Sequence, residues 1–191
     1  RARNQQKAVE HKKALFEKMR STLGGKKATA QFVALVVALC ARLGIPDPSW
    51  LMAVMWFESK LKASARNPLS GATGLIQFIP NGSIKELGTT PEALAAMTEE
   101  EQLVYVERYF VERGYAGRMK TLADVYMAVL WPAAIGKPDS TPLITDAESK
   151  AYVQNKGLDL NKDGQITKAE AASYAVKALA DGLLPDQDIF Y

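Results

Sequence analysis

Residues 58–80 read ESKLKASARNPLSGATGLIQFIP, and the order of chemistry in this stretch decides how the rest of the chain is interpreted. The run before it, Trp50-Leu51-Met52-Ala53-Val54-Met55-Trp56-Phe57, is apolar on every face, so it predicts a helix buried all round. Asp47 and Pro48 supply an N-cap and a first helical residue, and the pattern carries the helix to about Leu61. The helix delivers a carboxylate, Glu58, and then Ser59. A carboxylate in such surroundings is expensive unless it is paired or protonated. Desolvation raises a carboxyl pKa and lets a glutamic acid remain a proton donor near neutral pH. That property serves protonation of the leaving oxygen of a glycosidic bond. The same pattern also fits a glutamate at the helix edge, facing water or paired with Lys60 or Lys62. Thirteen residues further on comes Gly71-Ala72-Thr73-Gly74-Leu75-Ile76-Gln77-Phe78-Ile79-Pro80. Its glycines permit a tight hairpin and close approach of a ligand to the backbone. Gln77 offers both a donor and an acceptor to a polar substrate.

Outward from this centre the pattern is mostly helical. Residues 4–20 predict a basic amphipathic helix, followed by the break Gly24-Gly25. Residues 29–43 predict a buried helix closed by Gly44. Residues 64–83 predict a loop with a short hairpin. Thr98 and Glu101 form a capping box for a helix to about Arg113, and Thr121 starts another that ends near Trp131-Pro132. Thr145 and Glu148 predict a further box, for a helix through Lys156, and a last helix covers about 168–181. Three parts follow: a basic leader over 1–27, a core over 28–140, and a C-terminal segment over 141–191 packed on the core.

Composition narrows the chemistry. The chain has 191 residues, 48% hydrophobic and 24% charged, which suits a folded domain with a sizeable core. The net charge of +3 is too mild to point to nucleic acid. It divides unevenly: residues 1–27 hold nine Lys/Arg against two acids (+7), and residues 28–191 hold fifteen against nineteen (−4). The single cysteine, Cys40, and the single histidine, His11, exclude a disulfide framework, a Cys-rich zinc site and a His-based triad. The longest apolar run, Phe32 to Ala41, is about half the ~20 residues that span a bilayer, so no transmembrane segment is expected. The absence of a starting Met reads as an excised or processed piece of a larger protein.

The Glu-Ser pair, the loop with Asn67-Pro68, and Gly71-Ala72-Thr73-Gly74-Leu75-Ile76-Gln77-Phe78-Ile79-Pro80 together resemble the lytic transglycosylases of the lysozyme-like superfamily. The resemblance covers about residues 45 to 137. Where that family shows Ala-Tyr-Asn-Ala-Gly, this chain has Val125-Tyr126-Met127-Ala128-Val129. The resemblance implies a lysozyme-like α+β fold with a small β-hairpin. It implies Glu58 as the catalytic acid/base, with Ser59 and Gln77 lining the groove and Tyr126 donating a hydrogen bond to Glu58. Trp131 is a candidate for sugar stacking, whereas Trp50 and Trp56 read as core. The implied substrate is the MurNAc-β-1,4-GlcNAc bond of peptidoglycan glycan strands, and the implied place of action is the periplasm or cell wall. A virion-associated protein or a bacterial envelope enzyme would both fit. Glycoside hydrolysis ordinarily uses two carboxylates, but residues 59–85 contain no Asp or Glu. A single acid suffices if the sugar's own 6-hydroxyl attacks, leaving a 1,6-anhydro end. The alternatives are a hydrolysing muramidase that takes its second acid from Glu86 or Asp124, and a catalytically silent glycan-binding module.

A second motif lies at 159–170, DLNKDGQITKAE. Asp159, Asn161, Asp163, Gln165 (through its carbonyl), Thr167 and Glu170 fall at the six ligand positions of an EF-hand calcium loop, with Gly164 at the sharp turn. A structural Ca²⁺ is expected here, clamping the C-terminal segment to the body. A polar turn capping the next helix, through Thr167 and Glu170, fits the same residues.

Overall fold

The computed structural model describes residues 29–182. The helix expected over 4–20, with His11 and the rest of the basic leader, lies outside the described residues, as does the chain beyond 182. The described part is mainly helical with one small two-stranded antiparallel sheet. No single helix among the described residues is long and apolar enough to cross a membrane.

Helix α1 spans Ala30–Leu43. Thr29 caps it by accepting from the Phe32 amide at 3.0 Å. Gly44, at φ 68°, ends it in the left-handed region that glycine tolerates best. Helix α2, Pro48–Ser59, begins at the Asp47 cap and Pro48 as expected. Its residues Leu51, Met52, Ala53, Val54 and Met55 are all fully buried. Burying each of the larger ones contributes about 1.5–3 kcal/mol. The helix stops at Ser59, short of Leu61, because Lys60 and Leu61 both turn left-handed (φ 54° and 58°). Their amides cap the carbonyls of Trp56 and Met55. No glycine marks this stop; full burial of the Leu61 side chain holds it.

The stretch 64–83 is less regular than a hairpin. It has two isolated bridges, Arg66 with Thr73 and Thr73 with Phe78, and then a short π-type turn at Pro80–Ile84. The sheet lies elsewhere: β1 (Pro142–Ile144) pairs antiparallel with β2 (Ile166–Thr167). Helix α3, Pro91–Ala96, is an addition to the expected elements, started by the Thr90 cap and Pro91. Helix α4, Glu99–Glu112, has the expected capping box: the Glu101 amide donates to Thr98 at 3.1 Å and the Thr98 amide to Glu101 at 2.8 Å. Helix α5 spans Leu122–Leu130. Helix α6 corrects the expectation at 145–156. It covers only Lys150–Asn155 and is capped by Ser149 in place of Thr145. Asp146 folds the preceding residues into a turn by accepting the Glu148 amide at 2.9 Å, which removes Glu148 from a box. Helix α7 spans Lys168–Gly182.

Helices α1, α5 and α7 all pack on α2. Ala171, Ala172 and Ala175 present small buried side chains and let α7 come close. Its first residue, Lys168, is only 1% exposed. The Lys168 ammonium donates to Asp124 Oδ1 of α5 at 2.6 Å and to the Lys137 carbonyl at 2.7 Å. Asp124 also accepts the amides of Lys120 (3.0 Å) and Gly136 (2.8 Å). Burial pushes its pKa up, but Lys168 and these amides outweigh that, and the net shift is downward. Removing one member of such a pair strands the other charge, at a cost of roughly 3–5 kcal/mol. Lys168→Met is therefore expected to lose that much in urea unfolding at neutral pH. Lys168→Met combined with Asp124→Leu should recover most of it. Equal losses in the single and double variants would show that the pair is not the source.

Candidate active site and an oxygen-rich loop

Glu58 sits in the last turn of α2, half-buried. Burial raises its carboxyl pKa to about 7, and interaction with the Tyr126 hydroxyl pulls in the opposite direction without cancelling it. Tyr126 lies on α5 and is 3% exposed. Its own pKa is pushed far above the usual phenol range, first by burial and then by Glu58, so it stays a neutral donor. The structure thus brings Tyr126 to Glu58. Phe57 packs edge-on to the Tyr126 ring at 5.8 Å and stacks on Tyr174 of α7 at 5.4 Å and 12°. Tyr174 is not foreshadowed by any local pattern, because α7 is joined to this site only through space.

The glycine-rich loop is held against α2 by buried polar groups. Ser59 was expected in the groove wall; it is buried instead, and its hydroxyl bonds the carbonyls of Met55 (2.9 Å) and Leu75 (3.0 Å). It fastens the loop to the helix end and is only 6% exposed. Gln102 of α4, fully buried, does the same from the other side. Its Oε1 accepts the Leu75 amide at 2.6 Å, and its Nε2 donates to the carbonyls of Ala63 and Leu94. A Cβ on Gly74 would lie 2.4 Å from Gln102 Oε1, and Gly74 has φ +92°. Glycine is required there on both counts. The capping-box helix was legible; that its buried face carries this glutamine was not.

Gln77 stands at φ 56°, a left-handed conformation costing a non-glycine residue about 1–2 kcal/mol. Its amide group donates to the carbonyls of Ala65 (3.2 Å) and Gly74 (3.0 Å). Both donors therefore serve the loop, and only the amide oxygen is left for a ligand. Trp131 caps α5, its amide bonding the Met127 carbonyl at 2.8 Å, and its ring is partly buried against the core. Trp50 and Trp56 are likewise partly buried against the core. Cys40 is fully buried, and burial pushes its thiol up to about 12, so it is inert at neutral pH.

The two other acids considered as partners of Glu58 are committed elsewhere. Asp124 is 2% exposed and bound by Lys168, while Glu86 pairs with Arg113 of the turn after α4.

In the loop 159–170, no three His, Cys, Asp or Glu side chains among the described residues converge as a ready-made metal centre. The donor set still fits a hard cation. Asp159 accepts the amides of Asp163 (3.2 Å) and Gly164 (3.0 Å) and the Tyr152 hydroxyl (2.6 Å). Asp163 accepts from the Gln165 amide and from Asn161. Glu170 accepts from Thr167 and, at 3.4 Å, from the Asn161 amide, which draws the two ends of the loop together. All these donors are neutral, and no ion pair among the described residues reaches the three carboxylates. The ligand atoms are all oxygens, as calcium prefers. Ile166, at the apolar position, is buried and pairs with Ile144 across the sheet.

No family model matches the chain, and no curated protein matches it.

Two expectations follow. A group whose folded pKa exceeds its unfolded value binds more protons when folded, so stability falls as pH rises between the two values, here from the usual 4.5 to about 7. The ionised Glu58 is thus a net burden above pH 7. Glu58→Gln should stabilise the protein at about pH 8, on the order of 2–3 kcal/mol, and do little at about pH 4. Urea titrations at the two pH values measure this, and an equal effect at both would contradict the burial of the charge. For the loop, Ca²⁺ should raise the melting temperature, and Tb³⁺ should show luminescence sensitised by Tyr152, diminished in Tyr152→Phe. No melting shift with Ca²⁺ or chelator, together with no Tb³⁺ emission, would remove the cation from the account.

Proposed function

We propose that this chain cleaves the MurNAc-β-1,4-GlcNAc bond of peptidoglycan as a lytic transglycosylase, on a lysozyme-like arrangement of α2, the glycine-rich loop and α5. The observation that carries the reading is Glu58, an acid whose pKa of about 7 keeps it protonated in useful amount at neutral pH. The resemblance of 58–80 to that family supplies the substrate. Glu58 first gives its proton to the leaving GlcNAc oxygen. The N-acetyl oxygen of MurNAc supports the anomeric carbon as the bond breaks. Glu58, now a carboxylate, then takes the proton of the 6-hydroxyl as that oxygen bonds to the anomeric carbon. The products are a free GlcNAc 4-hydroxyl and a 1,6-anhydro-MurNAc end, with no water consumed. The lack of an acid in 59–85 and the burial of Asp124 against Lys168 favour this single-carboxyl route over hydrolysis. The loop 159–170 would hold Ca²⁺ through Asp159, Asn161, Asp163, Gln165, Thr167 and Glu170, in the manner of a single EF-hand, fixing the start of α7. Peptidoglycan as substrate places the action in the periplasm or cell wall, within a virion-associated or an envelope protein.

Digestion of purified peptidoglycan followed by mass spectrometry is the test. Products lighter by one water than hydrolysed muropeptides are expected. Hydrated reducing ends alone would assign a muramidase, and no cleavage at all would assign a binding module. Glu58→Gln should lower the rate by roughly 10²–10⁴-fold with the fold intact. Activity should decline above about pH 7, as Glu58 loses its proton. Tyr126→Phe removes an interaction that lowers the Glu58 pKa, so it should move this decline to higher pH. A decline that moves to lower pH would contradict the placement of Tyr126.

A further inference from the structure

The loop and the helix that flank Glu58 also enclose a cavity of about 220 Å³. Its walls include Gln77 and Phe78 of the loop, Ser83 of the π-type turn, Tyr109 at the end of α4, Arg113 just beyond it, and Val129 of α5. Val129 follows Tyr126 by three residues on the same helix, and Tyr109 bonds the neighbouring Ala128 carbonyl at 2.7 Å. Phe78, Tyr109 and Val129 contribute apolar surface. The polar groups of the lining are unevenly satisfied. Ser83 accepts the Ile79 amide at 2.8 Å, which leaves its own hydroxyl proton for a ligand. Gln77 keeps its amide oxygen. Arg113 lies over the Tyr109 ring at 4.6 Å and pairs with Glu86, whose side chain is 58% exposed. An exposed pair of this kind contributes only about 0–1 kcal/mol. Its guanidinium is a planar fork with five donors, able to take a carboxylate bidentately.

A cation, a hydroxyl donor and apolar surface lining one cavity suit a short branch with a methyl-sized body and a carboxylate end. We propose that this cavity receives the carboxylate-bearing branch of a muramic acid residue, with Arg113 binding the carboxylate and Glu86 acting as its exchangeable counter-ion. Either the lactyl ether or the first acidic residue of a peptide attached to it supplies that chemistry. The inference rests on the peptidoglycan reading and names which feature of that polymer the protein recognises. Chitin-like glycan, which lacks the branch, would leave the Arg113 fork to Glu86 alone.

The test is equilibrium binding by NMR titration to Glu58→Gln protein, which does not turn substrate over. The probes are N-acetylmuramic acid, its methyl ester, N-acetylglucosamine, and N-acetylmuramoyl-alanyl-glutamate. The acid form should bind several-fold more tightly than its ester or N-acetylglucosamine. Arg113→Gln should abolish that preference while leaving N-acetylglucosamine binding as it was, and Arg113→Lys should keep part of it. Glu86→Gln, by removing the competing anion, should strengthen binding of the acid. If only the peptide-bearing probe depends on Arg113, the anion is the peptide's; if the free acid does, it is the lactyl group's. Equal binding of all probes, or a preference indifferent to both Arg113→Gln and Glu86→Gln, would overturn the proposal. The lytic reading fails separately: wild-type protein that shows the preference but leaves peptidoglycan uncut would keep the pocket and lose the enzyme.

Discussion

A helix with no polar face must be walled on every side, and α2 imposes that condition on the whole structure. Leu51 through Met55 are removed from water completely. No single neighbour can do this, so α1, α5 and α7 close around it. The closure also explains Glu58. By the last turn the walls are still high enough to desolvate a carboxyl but no longer high enough to exclude it, and the result is an acid near pH 7 with a tyrosine beside it. The raised pKa is thus a by-product of where the apolar run ends, at Phe57, and of how little the chain opens before turning away at Lys60.

The same condition changes the standing of the C-terminal segment. A boundary near residue 140 reads naturally in the sequence, because residues 136–142 are rich in Gly, Pro, Asp and Ser. In three dimensions the helix after that boundary is one wall of the core. Its alanines lie against α2 and α5, its lysine is sealed into α5, and its Tyr174 continues the aromatic stack that begins at Phe57. The oxygen-rich loop therefore stands at the head of a core helix. Whatever orders residues 159–170 also sets where α7 begins.

What could be read in the sequence was local. Thr98 with Glu101, Asp47 with Pro48, and Gly44 act within one turn of themselves, so residue type and spacing suffice, and the structure follows them. Glu58 was legible because its whole environment on one side is the preceding apolar run. Competition between local groups limits such reading. Thr145 and Ser149 are both competent caps, and Asp146 decided between them by folding its own turn. Ser59 and Gln77 have chemistry suited to a ligand, and the loop uses the Ser59 hydroxyl and both Gln77 amide donors for carbonyls, leaving the Gln77 oxygen open. Gln102, Lys168 and Tyr174 reach partners 27, 44 and 117 residues away, and no window along the chain contains such a pair.

The distribution of charge around the site completes the physical account. Asp124 lies two residues before Tyr126 on α5, and an unneutralised carboxylate there would act on Glu58 through a medium of low dielectric. Lys168 cancels it within 2.6 Å, and Glu86 is likewise cancelled by Arg113. The causes that set the Glu58 pKa are accordingly burial and Tyr126, with no distant charge among them. Three carboxylates without a cation lie in the loop that leads into α7, gathered among their own amides. Asp124 and Glu86 are ion-paired, the carboxylates of the oxygen-rich loop are held by amides, and Glu58 is left to titrate near neutrality. A protein that uses a single carboxyl both to give and to take a proton requires that isolation, because a second charge nearby would lock it into one of the two states.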